Sequence, residues 1–201
     1  MDIEELKKII DSSNNIVFFG GAGVSTESNI PDFRSNSGLY KSKNKFKYPP
    51  EYMLSHTFFM DHTKEFYEYY KSTMIYKEAK PNKAHIALAE LEKQGKLKAV
   101  ITQNIDGLHQ LAGSANVLEL HGSIYRNYCM KCHKFFELDY IINALNVPYC
   151  DNCGGIVKPD VVLYEEGLDT DTIDKSVNHI SNSDVFIIGG TSLSVYPAAS
   201  L

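Results

Sequence analysis

Two CxxC pairs hold all four cysteines of this chain: Cys129-Met130-Lys131-Cys132 and Cys150-Asp151-Asn152-Cys153. Residues 133–149 separate them, an interval within the roughly 15–20 residues typical of a zinc site built from paired cysteines. Four thiolates close every position of a tetrahedral ion, so such a zinc is structural and holds no activated water. Two disulfides or four buried thiols are the other readings. The chain opens Met1-Asp2-Ile3-Glu4-Glu5, without the positive region of a secretory leader, which argues against disulfides. Buried thiols rarely fall into paired CxxC by chance.

Four further clusters carry groups that bind phosphate or ribose, or move protons. Gly21-Ala22-Gly23-Val24-Ser25-Thr26-Glu27 has glycines that let backbone amides approach a phosphate. By itself it is a weak signal: Thr26 stands where a third glycine of GxGxxG belongs, and no acidic residue follows at ribose distance. Thr102-Gln103-Asn104-Ile105-Asp106-Gly107-Leu108-His109 offers amides and a carboxylate. One of Asn104 and Asp106 is explained as the cap of a helix over 106–112, but three polar side chains at one strand end exceed that need. His121-Gly122 places an imidazole where a general base titrates near neutrality. Gly189-Gly190-Thr191-Ser192 offers small residues and hydroxyls, as ribose and phosphate require and as any strand-to-helix turn allows.

Each cluster follows a short apolar run: 16–19, 99–102, 117–120 and 185–188. Such runs read as strands buried on both faces. Helical patterns lie between them. Residues 2–12 repeat Ile3, Leu6, Ile9 and Ile10; residues 63–76 are aromatic-rich; a third pattern starts at Pro81 and stops at Gly95. Short strands alternating with helices predict an α/β fold, a Rossmann-like parallel sheet covered on both faces. Ligands of such sheets sit at the carboxyl ends of the strands. Residues 129–157 break the alternation and predict a small zinc-binding module inserted into the main domain, which comprises 1–128 and 158–201.

The chain has 201 residues, 43% of them hydrophobic, and a net charge of −5. That is one domain with a core, or one domain carrying a small satellite, and no global attraction to nucleic acid or anionic membrane. The basic stretch Lys41-Ser42-Lys43-Asn44-Lys45-Phe46-Lys47 reads as a solvated loop. No apolar run is long enough to span a bilayer. A cytoplasmic location is expected.

Taken in order, Gly21-Ala22-Gly23-Val24-Ser25, Ile30-Pro31-Asp32-Phe33-Arg34, Thr102 to His109, Leu120-His121-Gly122, the CxxC pairs and Gly190-Thr191-Ser192 resemble the sirtuins, NAD-dependent protein-lysine deacylases. The resemblance covers essentially residues 1–200. It implies removal of acetyl, and of other neutral acyl groups, from protein lysines, giving nicotinamide, O-acetyl-ADP-ribose and free lysine. It implies NAD as co-substrate and structural zinc on Cys129, Cys132, Cys150 and Cys153. Gly21, Ala22, Gly23, Ser25, Thr26 and Arg34 would line the cofactor site, Arg34 from a cofactor loop of about 30–50. Gln103 and Asn104 would hold the ribose, with Asn104 counted in the catalytic set. Ile105 and Asp106 would receive the nicotinamide amide, under Phe33. His121 would be the catalytic base, and Gly190, Thr191 and Ser192 would bind on the phosphate and ribose side. Val161, Val162, Tyr164 and Val195 would form the acyl-lysine tunnel, with Tyr67 on its substrate side. Acetylated lysine in a protein or peptide is the implied partner, met by a monomer.

The chain departs from the family's pattern at several positions. Tyr70 stands where desuccinylating members have an arginine, which favours deacetylation. Asn29 replaces a usual glycine and tolerates a positive φ. Tyr164 replaces a usual phenylalanine, and its hydroxyl needs a partner. Glu165 replaces a usual glycine and is expected to stiffen or shift the substrate loop. Further strands that contact the adenosine half of NAD in the family are expected beyond Leu201. The competing functions are an NAD-consuming ADP-ribosyltransferase or glycohydrolase, and a nucleotide-binding module without turnover.

Overall fold

The computed structural model describes residues 2–35, 38–40 and 46–201. The basic run at 41–45 and the middle of the 30–50 loop lie outside the described residues.

Helix α1, Ile3–Ser12, is capped by Asp2, whose carboxylate accepts from Glu5 N at 2.8 Å. Strand β1, Ile16–Gly20, follows, then a 3₁₀ helix over Ala22–Ser28. Three helices come next: α2, Pro50–Met53; α3, His56–Asp61; and α4, Thr63–Thr73. Helix α5, Lys83–Lys93, leads to β2, Leu97–Thr102. After α6, Leu108–Ala112, come β3, Val117–Glu119, and β4, Gly122–Cys129. Strand β5, Phe135–Phe136, and α7, Leu138–Asn143, precede β6, Val157–Val161. Helix α8, Thr170–Ser181, and β7, Val185–Gly189, complete the main elements.

Four strands form a parallel sheet in the order β3-β2-β1-β7. Alternate residues of β1 serve opposite faces, as a period of two requires. Ile16 and Phe18 pack with Leu88, Leu97 and Val100 on one side. Val17 and Phe19 pack with Ile101, Leu120 and Ala198 on the other. Each such Phe or Ile, removed from water, contributes about 1.5–3 kcal/mol. The α/β architecture with a doubly covered parallel sheet is therefore the one expected. Register aligns the strand ends: Gly20 pairs with Thr102 and Gly189, and Thr102 with Glu119.

A second sheet, antiparallel, runs β5-β4-β6. It starts at Gly122 and ends at Val161, beyond 129–157 on both sides. It shares one core with the helical layer: Phe58, Phe59, Phe66, Tyr67, Tyr69 and Tyr70 pack with Ile124, Phe136, Ile141 and Val157. A sheet this small cannot bury enough surface alone, and the aromatic helices α3 and α4 complete it.

Several helix boundaries differ from expectation, among them the start of α6, at Leu108 rather than 106. Helix α5 starts after Asn82, not at Pro81, because the Asn82 side chain caps it, accepting from Ala84 N at 2.9 Å. The same side chain donates to Val24 O at 2.7 Å and Ser28 Oγ at 3.1 Å, tying α5 to the 3₁₀ turn. Helix α4 stops at Thr73, short of residue 76. Asn29 ends the 3₁₀ helix with φ +63°, in the left-handed region that asparagine tolerates.

Candidate functional site

The four cysteine sulfurs lie within 4.8 Å of one another. The Cys129–Cys153 and Cys132–Cys150 sulfurs are 3.4 and 3.6 Å apart, too far for disulfide bonds of about 2.05 Å. A tetrahedral zinc with Zn–S near 2.3 Å needs sulfurs roughly 3.8 Å apart, so the donor set fits zinc. Gly155 permits the closure, since a Cβ there would stand 2.9 Å from Cys129 Sγ. Lys131 N also points at that sulfur, at 3.4 Å.

The ends of β1, β2, β3 and β7 open into one cleft of about 290 Å³, near the lower end of the range for ligand sites. Gly21, Ala22, Gly23, Ser25, Phe33 and Arg34 line it on one side. Gln103, Asn104, Ile105, Asp106 and His121 form its floor, and Gly190, Thr191 and Ser192 close it. Val161, Val162, Tyr164 and Val195 line the apolar end. Ile124, Leu163 and Tyr70 join that wall; the first two gave no polar signal in the sequence.

The glycines act differently from the phosphate-cradle expectation. The amides of Gly21, Gly23 and Val24 donate to Gly189 O, Gly190 O and Gly21 O. They are spent inside the fold. The glycines instead let the β1 and β7 turns touch: a Cβ on Gly23 would stand 2.8 Å from Gly190 O, and one on Gly190 would stand 2.4 Å from Val24 N.

The polar floor is a connected network. Ser25 Oγ donates to Asp106 Oδ2 at 2.6 Å and accepts from Asn104 Nδ2 at 3.0 Å. Asp106 Oδ1 accepts from Leu108 N, the first amide of α6, at 2.9 Å while its other oxygen faces Ser25; the N-cap position itself is Gly107. Asn104 is not the cap; its amide donates to Thr102 Oγ1 at 3.0 Å. Gln103 Nε2 donates to Thr191 Oγ1 at 2.8 Å, linking the β2 end to the β7 turn.

His121 lies at the end of β3, half-buried, with Nδ1 3.0 Å from Gln103 O. A carbonyl only accepts, so this bond assigns the proton to Nδ1 and leaves Nε2 a lone pair. Burial lowers the imidazole's pKa, with the Gln103 carbonyl opposing. The ring is neutral at pH 7 and able to take a proton.

Two expected site residues lie elsewhere. Tyr67 is fully buried, and its hydroxyl donates to Val157 O, so it joins α4 to β6 rather than lining the cleft. Tyr70, one helical turn later, takes that wall. Thr26 sits on the exposed side of the 3₁₀ helix and bonds Gly23 O at 3.0 Å, outside the cleft.

The loop that follows β6 has anchors that only the structure reveals. Glu165 takes φ +77°, and its carboxylate accepts from Thr57 N and Oγ1 at 2.9 and 2.7 Å. Glu166 binds His56, Lys158 Nζ and Leu163 N at 2.9–3.0 Å. Glu165, which stands where glycine was the expected residue, thus ties this loop to α3. The Tyr164 hydroxyl finds its partner in the hydroxyl of Tyr40. No helix among the described residues is long and apolar enough to cross a membrane.

The Sir2 family pattern matches residues 21–197. An "NAD-dependent protein deacetylase" of Clostridium acetobutylicum is 69% identical over 200 residues, 99% of this chain and 82% of that protein. One of Clostridium perfringens, with the same name, is 61% identical over 199 residues, again 99% and 82%. A Sir2 structure with a deacetylated p53 peptide and 3′-O-acetyl ADP-ribose superposes with TM-score 0.90 at 39% identity, covering 100% of this chain and 80% of that one. A Sir2–p53 peptide–NAD⁺ complex gives 0.85 at 40% identity, with the same coverage. With its parallel sheet, clustered cysteines and polar cleft floor agreeing with these likenesses, the chain belongs to the Sir2 family, the sirtuins.

Proposed function

We propose that this chain removes acetyl groups from protein lysines with NAD as co-substrate, giving free lysine, nicotinamide and O-acetyl-ADP-ribose. The observation that carries the reading is the meeting of His121, Gln103, Asn104 and Asp106 on one cleft floor beside an apolar end. Family membership and the relatives' shared name support it.

Bound NAD supplies a pyridinium leaving group and, once it departs, an electron-poor ribose carbon that the acyl oxygen attacks. The chain's residues do the rest. Asp106 accepts the protons of a carboxamide while Ser25 holds the carboxylate in place. Gln103 and Asn104 hold the ribose hydroxyls, and Phe33 covers the nicotinamide pocket. Nε2 of His121 takes a proton from a ribose hydroxyl. Val161, Val162, Leu163 and Val195 accept a neutral acyl-lysine and penalise an unpaired ammonium. Tyr70 in that wall offers no guanidinium to an acidic acyl group, which supports acetyl over succinyl. The four cysteines would hold a zinc that fixes the module of residues 129–157. Acetylated lysine peptides are the partner that fits, and reduced, metal-grouped thiols support a reducing, cytoplasmic setting.

The test is an acetyl-lysine peptide incubated with NAD and followed by mass spectrometry. O-acetyl-ADP-ribose appearing with free lysine, and lost in His121→Ala, is the expected result. NAD cleavage without deacetylation would point to a glycohydrolase or transferase instead. Succinyl removed faster than acetyl from the same peptide would refute the acyl preference.

A further inference from the structure

Tyr164 and Tyr40 join two loops that face different ligands. Tyr164 stands on the substrate side. Its backbone bridges to α3, donating to Leu54 O at 3.0 Å and accepting from His56 N at 2.9 Å. The next two residues are the glutamates that clamp Thr57, His56 and Lys158. Tyr164 therefore projects from a fixed base.

Tyr40 stands on the cofactor side. Its amide donates to Phe33 O at 3.0 Å, and Leu39 N donates to Asp32 O at 2.8 Å, tying residues 39 and 40 back to 32 and 33. The Tyr40 ring meets Phe33 edge-on, with centroids 5.4 Å apart. The Arg34 guanidinium lies 5.5 Å from the same ring's centre. The two residues expected to touch the dinucleotide, Phe33 and Arg34, thus rest on Tyr40. The hydroxyl of Tyr40 in turn rests on Tyr164. Burial and this bond hold the Tyr40 phenol far above its ordinary pKa, so Tyr40 stays neutral across the physiological range.

We propose that the Tyr164 hydroxyl is a positioning group for NAD: through Tyr40 it holds Phe33 and Arg34 in their dinucleotide-binding places, so that the acyl-lysine loop sets cofactor affinity. Holding a loop in its bound shape beforehand removes part of the ordering cost of binding. Phenylalanine at 164 would keep the ring and its apolar contact with the acyl chain and lose only this tie.

This inference rests on the reading of the cleft as an NAD and acyl-lysine site, and the experiment separates the two. NAD and acetyl-lysine peptide binding are measured by calorimetry on the wild-type chain, Tyr164→Phe, Tyr40→Phe and the double variant. Expected is a rise in NAD Kd of about 2- to 10-fold in either single variant, the range for one hydrogen bond. The double variant is expected to bind NAD no more weakly than the singles, and in Tyr40→Phe the steady-state KM for NAD to rise with kcat nearly unchanged. A merely structural tyrosine would not give that KM-only effect with non-additivity. NAD bound equally well by wild type and Tyr164→Phe, or two singles that add in the double, overturns the proposal. Should one variant misfold, the other breaks the same bond from the opposite loop. No NAD binding by the wild-type chain would instead sink the functional reading.

Discussion

Ser25 and Asp106 lie on different turns of the fold, yet the Ser25 hydroxyl donates to Asp106 Oδ2 at 2.6 Å. With Asn104 donating to that same hydroxyl, one serine orients two of the groups on the cleft floor. Asp106→Asn puts an NH₂ group where an acceptor is needed for Ser25, for Leu108 N, or for the ligand's carboxamide. A loss of kcat/KM for NAD greater than tenfold is expected, and Ser25→Ala should cost less. Steady-state kinetics with a circular dichroism control for folding measure both; an unchanged Asp106→Asn enzyme would remove Asp106 from the site.

The pH profile should carry the signature of His121. A general base works deprotonated, and burial lowers this imidazole's pKa below 6.5. The acid limb of activity should thus be centred below pH 6.5. His121→Ala should lose about 10²–10⁴-fold in turnover, the usual contribution of a positioned base, while still binding NAD. An acid limb centred above pH 7 would contradict the neutral, Nδ1-protonated assignment.

Metal analysis should find one zinc per chain. Cys129 and Cys150 belong to the same core as Phe58, Phe66 and Tyr67, so stripping the metal should loosen more than the small module. Chelation or Cys150→Ser is expected to lower the single melting transition of the whole chain. A separate low-temperature transition, with the remainder unaffected, would show the module to be energetically independent.

Acid should destabilise the protein through a second histidine. His109 is almost fully buried, packed edge-on against His85 at 4.7 Å, and neither of its ring nitrogens has a partner among the described residues. Burial, then the His85 charge, pushes its pKa down to about 4. The unfolded chain binds that proton near pH 6.5 and the folded chain only near 4. Stability from this group is therefore complete above pH 6.5 and drains away as pH falls toward 4. The loss reaches roughly 3 kcal/mol at most by linkage. Urea unfolding at pH 7.5 and 5 measures it; equal midpoints would show that His109 is not held neutral.

Much of the site is legible in the sequence. The apolar runs at 16–19, 99–102 and 185–188 became the central strands, and their polar ends face one cleft because parallel register aligns Gly20 with Thr102 and Gly189. Helix ends were less legible. Pro81 was outcompeted by the capping side chain of Asn82, whose bonds to Val24 and Ser28 depend on a distant turn. Tyr67 and Tyr70 differ by one helical turn, and only the packing of α4 on β6 decides which faces the cleft.

Residue type and short spacing alone determined the zinc ligands, the alternating strands and the polar strand ends, because each is a local property: a CxxC turn or a run of β-formers is complete within a few residues. Only the folded chain decided that the glycine amides are spent between two turns, that the small sheet shares its core with aromatic helices, and that Tyr40 reaches Tyr164. Those outcomes are contacts between segments far apart in sequence, and periodicity holds no record of which distant group will arrive.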